Sequence, residues 1–436
     1  MTFVSAVLDN RRGSTESLLV REGDAELLIQ DFLAAADGSD RVCRKIAVST
    51  SSSIFLIRVL AAADGRAESI LLLSPALPVD TVFELMRQCS CEEIYSDRLD
   101  IPGSKSSPPK WNCSSTYETT WLLTTSGTTG VPKVVQHTFH SISASTKSGA
   151  SLFDARWGLL FEASRFAGMQ VLFQALIGGG VLLATPGEWS LGEKVSYFAA
   201  TGCTHLSATP TLWRKMLMSP RFAELQLRQL TVGGEIADSN LLAGLSHAQP
   251  QARISHIYAS TEIGVGFAVH DGLAGFPSAF LQGVTGIDLK VIDGVLWAKP
   301  ADARSTIFAN HIERDADGFV CTGDRVNVTS ERVFFLGRES SLVNIGGVKI
   351  QIEDVEAVIR SHPDVSECYI EAKTNSFSGS VLVLTLALIP GAIEAEARRD
   401  IRQWCKDRLQ REAQPATIRI VEQINSSPAG KISRVV

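Results

Sequence analysis

Residues Trp121–Val135 read WLLTTSGTTGVPKVV. A strand-like apolar run, Trp121–Thr125, stops in a cluster of hydroxyls and glycines, and a second apolar run begins just past Lys133. Glycines let a backbone approach a ligand closely, and hydroxyls with successive N–H groups can wrap phosphate oxygens. Lys133 adds positive charge. The order GxxxxGK[ST] is absent, because Lys133 follows Pro132 and not glycine, so this is not the phosphate loop of that motif. By itself the stretch is a phosphate grip or a plain Ser/Thr/Gly turn.

Outward from the stretch, helix-like and strand-like segments alternate. On the N-terminal side, the spacing of DAELLIQDFLAAA (Asp24–Ala36) predicts a helix with Asp24 as its N-cap. KIAVST, SILLLS and EEIYSD read as short strands, and SIFLIRVLAAAD and VDTVFELMRQC as the helices between them. On the C-terminal side GGGVLLAT and THLSAT read as strands, EKVSYFAA and TLWRKMLM as helices. Such alternation predicts parallel sheets covered by helices. IDLKVIDGVLWAKP and DGFVCTGDRV, with short turns, predict a small antiparallel barrel-like unit. From about Ser340 the texture changes to a compact α+β pattern that ends in EAEARRDIRQWCKDRL and TIRIVEQI. The expected class is α/β: a large N-terminal domain of parallel sheets and helices with the barrel-like unit (1–338), and a smaller mobile C-terminal α+β domain (339–436).

The totals set outer limits. With 436 residues, 45% apolar and 20% charged, the chain is long enough for two or three globular units. A net charge of -6 without a basic block speaks against a nucleic-acid partner. The eight cysteines are scattered, with no paired CxxC motifs, so a zinc site is not expected. The most apolar stretch, Val171–Ala184, is broken by Gln174 and three glycines and is too short to span a bilayer. A cytoplasmic protein without a membrane span is the expectation.

Other segments give the loop its context. HIYASTEIG groups Tyr258, Ala259, Ser260, Thr261, Glu262 and Gly264. CTGDRV holds Asp324, LGRESSLVNIGGVKIQIEDVE holds Arg338, Ser340, Gly346, Gly347 and Lys349, and SSPAGKISR holds Lys431. In this order, and with TSGTTGVPK, they resemble the signature set of the adenylate-forming superfamily: acyl-CoA synthetases, carrier-protein-loading adenylation domains and luciferases. The resemblance runs from Trp121 onward.

The resemblance implies that a small carboxylic acid is activated with ATP through an acyl-adenylate, pyrophosphate leaves, and a thiol then takes the acyl group. It implies ATP contacts from Ser126, Gly127, Thr128, Thr129, Gly130 and Lys133. Thr261 would bind the α-phosphate, and Glu262 would hold Mg2+ through a hard oxygen ligand. Tyr258 would face adenine opposite the GGE backbone (Gly233, Gly234, Glu235), and Asp324 and Arg338 would hold the ribose. Lys431 would stabilise charge as the adenylate forms.

After adenylation the small domain would rotate about a hinge at Ser340, a position that is commonly Asp or Lys in the family. Gly346, Gly347 and Lys349 would then line a tunnel for a pantetheine thiol. By analogy the acid pocket includes Arg165, Phe166, Met169, Ala208 and Gly264. Arg165 could pair with a second acidic group on the substrate, or instead with Glu162. A compact aryl or short-to-medium acyl acid is expected. The acceptor would be CoA; the alternative is the phosphopantetheine arm of a carrier protein. Taken singly, Asp324 is an ordinary turn residue, Glu262 a solvated carboxylate and Lys431 an exposed lysine; only their ordered co-occurrence points to chemistry.

Overall fold

Trp121 is fully buried, and its indole N–H donates to Asp64 Oδ1 at 3.1 Å. The second Asp64 oxygen accepts the backbone N–H of Phe3 at 2.7 Å. A carboxylate and an indole that satisfy each other can be buried without an orphaned polar group. Burial still pushes the Asp64 pKa upward. Phe3, Phe139 and Phe173 pack around Trp121 with ring centroids 5.7–6.4 Å away. The strand that leads into the quoted loop is therefore anchored at its start by one of the largest buried side chains in the chain.

The structure is a computed structural model that describes residues 1–11, 15–36, 45–110, 118–125, 132–300, 313–375 and 379–424. It divides into two compact units. The first consists of Met1–Leu273 with Thr285–Ile287 and Pro300–Ile312; the second of Ala274–Val284, Asp288–Lys299 and Glu313–Val436.

The first unit carries two largely parallel sheets. One has five strands in the order Glu93–Ser96, Lys45–Ser49, Ser69–Leu73, Thr120–Thr125 and Lys133–His137. Its first four strands are parallel, and Lys133–His137 returns antiparallel with Thr125 opposite Lys133. The other sheet has eight strands and is parallel through its middle, from Arg253–Ser260 across to Leu18–Glu22. Antiparallel partners, Gly264–Val269 and Ala25–Leu28, close its two ends.

The helix Phe166–Leu176 buries residues on nearly every face and shares one apolar cluster with both sheets, as a helix enclosed by protein should. Gly168 is required there: a Cβ would come 2.1 Å from the carbonyl oxygen of Glu162.

The helix expected over Asp24–Ala36 is shorter than its pattern suggested. Ala25–Leu28 is a strand paired with Leu18–Glu22 across the two-residue turn Gly23–Asp24, and the helix begins only at Ile29. Asp24 is a turn residue and not an N-cap. Backbone pairing with the neighbouring strand outweighs local helical spacing over those four residues.

In the second unit a five-stranded sheet runs in the order Phe276–Pro277, Arg332–Arg338, Val320–Val328, Val295–Pro300 and Ile287–Ile292. The same unit holds the hairpin Leu342–Ile345/Val348–Gln351 and the helix Ile352–Arg360. It also holds a three-stranded sheet whose parallel pair, Gly379–Leu388 and Thr417–Val421, is joined through the helix Glu394–Arg408. Ile359, Ile370, Leu384, Leu386 and Ile401 are fully buried in that α+β core. Among the described residues no helix is long and apolar enough to cross a membrane.

Candidate functional site

Ser126, Gly127, Thr128, Thr129 and Gly130 lie outside the described residues, as does Lys431. The strand ends that bracket the loop are described, and both are held from below. On the incoming strand the Thr124 carbonyl accepts a hydrogen bond from Arg165 Nη1 at 2.9 Å. Arg165 occupies the N-cap position of the helix Phe166–Leu176. Its Nε lies 3.5 Å from Glu162 Oε1, and Glu162 also accepts from Ser74 Oγ at 2.7 Å and from Ser164 Oγ. The Arg165–Glu162 pairing anticipated as one alternative is present, so this guanidinium is engaged inside the protein.

On the outgoing strand the anchor is His137, which the motif reading did not single out. Its Nε2 lies 3.0 Å from the carbonyl oxygen of Thr261, and its ring stacks on Phe166 with centroids 5.7 Å apart. Burial pushes its pKa down to about 4. A signal was available in the sequence. Period-two alternation through KVVQH puts His137 on the same inward face as Val135, and an inward polar residue beside a ligand loop needs a reason.

Tyr258, Ala259 and Ser260 end the strand Arg253–Ser260, where the parallel part of the sheet gives way to the antiparallel partner Gly264–Val269. The Tyr258 ring stacks on Phe267 at 5.2 Å. Thr261 and Glu262 form the connecting turn, and both are half-buried. Gly233 ends the neighbouring parallel strand opposite Ile257, followed by Gly234. Glu235 accepts the Thr211 N–H at 2.9 Å, at the first turn of the helix Pro210–Leu217. These groups gather at the carboxyl ends of parallel strands, the position where open α/β sheets bind ligands. Among the proposed acid-pocket residues, Phe166, Met169, Ala208 and Gly264 are all buried, Met169 fully so.

Glu262 offers a hard oxygen donor. Among the described residues no group of three or more His, Cys, Asp or Glu side chains could cage a metal by itself. Mg2+ is commonly held by one or two carboxylates together with substrate phosphates, and the half-buried Glu262 supplies one such carboxylate.

The second unit holds the remaining residues. Asp324 and Arg338 are register partners on adjacent strands and form an ion pair, Nε to Oδ1 at 3.1 Å. The Arg338 carbonyl accepts from Gln351 Nε2 at 3.0 Å, and Gln351 Oε1 accepts from Arg325 Nη1 at 3.3 Å. Ser340 sits in the short turn Glu339–Ser341. Gly346 and Gly347, with φ of +60° and +91°, make the two-residue turn of the following hairpin. Left-handed backbone at two successive positions is what such a turn demands, and glycine supplies it without strain. Lys349 is exposed on the returning strand.

The family model of AMP-binding enzymes matches residues 36–295, and that of the AMP-binding enzyme C-terminal domain matches 354–431. The 2-succinylbenzoate–CoA ligase of Escherichia coli (strain K12) is 26% identical over 321 residues, 69% of this chain and 65% of that protein's length. A probable non-canonical nonribosomal peptide synthetase, CymA, of Salinispora arenicola (strain CNS-205) is 26% identical over 344 residues, which is 72% of this chain and 4% of the synthetase. The crystal structure of the anthranilate CoA ligase AuaEII in complex with anthranoyl-AMP superposes with a TM-score of 0.80 at 17% identity, covering 99% of this chain and 95% of that one.

Proposed function

We propose that this chain, which belongs to the AMP-binding enzyme family, activates a carboxylic acid with ATP and passes the acyl group to the thiol of CoA. The carboxylate attacks the α-phosphate, pyrophosphate leaves, and the acyl-adenylate then yields a thioester and AMP. The observation that carries this reading is the tie between His137, on the strand leaving the SGTTG loop, and Thr261, next to Glu262. It joins two segments to which the resemblance assigns neighbouring phosphates.

Within that reading Ser126, Thr128, Thr129 and Lys133 hold the β- and γ-phosphates, and Thr261 the α-phosphate. Glu262 would hold Mg2+, which offsets phosphate charge when bound. Tyr258, stacked on Phe267, faces adenine, while Asp324 accepts from the ribose hydroxyls beside Arg338. Lys431 stabilises the charge that develops on adenylation. The functional boundary falls after Arg338, with Ser340 as the hinge about which the C-terminal domain rotates. Gly346, Gly347 and Lys349 then line the thiol tunnel. The substrate is a compact aryl or short-to-medium acyl acid, and the reaction is cytoplasmic. A carrier-protein phosphopantetheine arm is the second reading of the acceptor, supported by the match to the peptide synthetase.

ATP–pyrophosphate exchange over a panel containing 2-succinylbenzoate, anthranilate and straight-chain acids tests the first half. Mass analysis with CoA or a holo carrier protein then decides the acceptor. A Lys431→Ala variant loses exchange but still forms thioester from pre-made acyl-adenylate; equal loss of both steps contradicts the two-conformation mechanism.

A further inference from the structure

We propose that His137 is a positioning residue for this reaction: its Nε2–H holds the Thr261 carbonyl and fixes the Thr261–Glu262 turn against the strand that leaves the phosphate loop. The inference rests on the acid-activation reading above.

A carbonyl oxygen can only accept, so at 3.0 Å it is Nε2 that carries the proton. The other ring nitrogen, Nδ1, lies 3.4 Å from Ser141 Oγ. The ring is 25° from parallel with Phe166, which limits its freedom to tilt. Phe166 directly follows Arg165, the residue that holds the Thr124 carbonyl on the other side of the loop. Two consecutive residues at the start of one buried helix therefore brace both strands of the hairpin.

The consequence for Thr261 and Glu262 follows from peptide geometry. The peptide unit between them is planar, so the Thr261 carbonyl, the Glu262 N–H and both flanking Cα atoms move as one body. Pinning that oxygen sets the orientation of both residues at once. One is assigned to the reacting phosphate and the other to the cation, where a misplacement of about 1 Å costs on the order of 100-fold. Burial lowers the His137 pKa to about 4, so through the neutral range the ring carries a single N–H, and that one is committed to the Thr261 carbonyl.

The test compares His137→Phe, which retains a stacking ring but has no donor, with His137→Gln, whose side-chain amide can donate from a similar reach. Calorimetry measures ATP affinity with Mg2+ and with EDTA, and exchange kinetics follow with whichever acid the wild type accepts. The Mg2+-dependent gain in ATP affinity is expected to shrink about tenfold in His137→Phe and to return largely in His137→Gln. The exchange kcat should fall about 10- to 100-fold in the Phe variant, with a much smaller change in the KM for the acid. A Phe variant that keeps the full Mg2+-dependent gain overturns the proposal. So does a Gln variant no better than the Phe variant, since packing alone would then account for the effect. Absence of ATP binding by the wild type would instead remove the acid-activation reading itself.

Discussion

The two regions that carry the candidate residues are held by different physics. Around the loop strands the supports are largely shielded from water. Arg165 and Glu162 have side chains only 16% and 12% exposed, and His137 is closed in by Phe166. Around Asp324, itself 16% exposed, the support is an ion pair whose arginine is 58% exposed. Buried polar groups lose much when one partner is removed, because the survivor is left desolvated; exposed ones fall back on water. The first region is thus built as a rigid frame and the second as a surface contact that a ligand can reorganise.

Arg165→Ala is the hardest blow to that contrast. It strips the Thr124 carbonyl of its donor and leaves the Glu162 carboxylate without its positive neighbour, held only by the Ser74 and Ser164 hydroxyls, and should cost about 3 kcal/mol of stability by chemical denaturation. A Glu162→Gln/Arg165→Met pair should be milder than the single change, since it leaves no unpaired charge. Gly168→Ala presses a methyl group onto the Glu162 carbonyl and should cost about 1–3 kcal/mol, read as a lower Tm.

The pH dependence is a smaller effect. His137 and His205 are both pushed by burial from the ordinary 6.5 to about 4. Between those values the unfolded chain binds more protons than the folded one. Their contribution is therefore fully present above pH 6.5 and is lost as pH falls toward 4, at up to about 1.4 kcal/mol per pH unit for each histidine. Urea denaturation between pH 7 and 5 should show this slope, and His137→Phe should reduce it by roughly half. The smallest stability change belongs to Arg338→Ala, at less than about 1 kcal/mol, accompanied by weaker AMP binding in calorimetry. A cost as large as that of Arg165→Ala would erase the distinction between frame and surface contact.

What could be read in advance depended on range along the chain. Strands such as KIAVS, SILLL and EIYS stand where their apolar runs place them, because a fully buried parallel strand is apolar throughout. The Asp24–Ala36 pattern misled because four of its residues pair with a neighbouring strand, a partner that helical spacing does not reveal. Arg165 was legible as a charged residue with two possible partners, an acidic group on the substrate or Glu162 three positions away, and the second is the one present. Its hold on Thr124 spans 41 positions and was not legible.

The sequence by itself determined the chemistry available: the hydroxyl and glycine loop, the Tyr258–Glu262 group, Asp324 with Arg338, and the ordered spacing that marks the family. Only the tertiary structure decided which side chains hold those groups in place. The His137 contact joins residues 124 positions apart, and it exists because His137, from a strand of one sheet, stacks on Phe166 of the buried helix and there meets the turn that follows Arg253–Ser260 of the other sheet. Spacing encodes what neighbours along the chain can do together. A hydrogen bond between distant segments is encoded only in how the sheets and helices pack, and that is where this site acquires its frame.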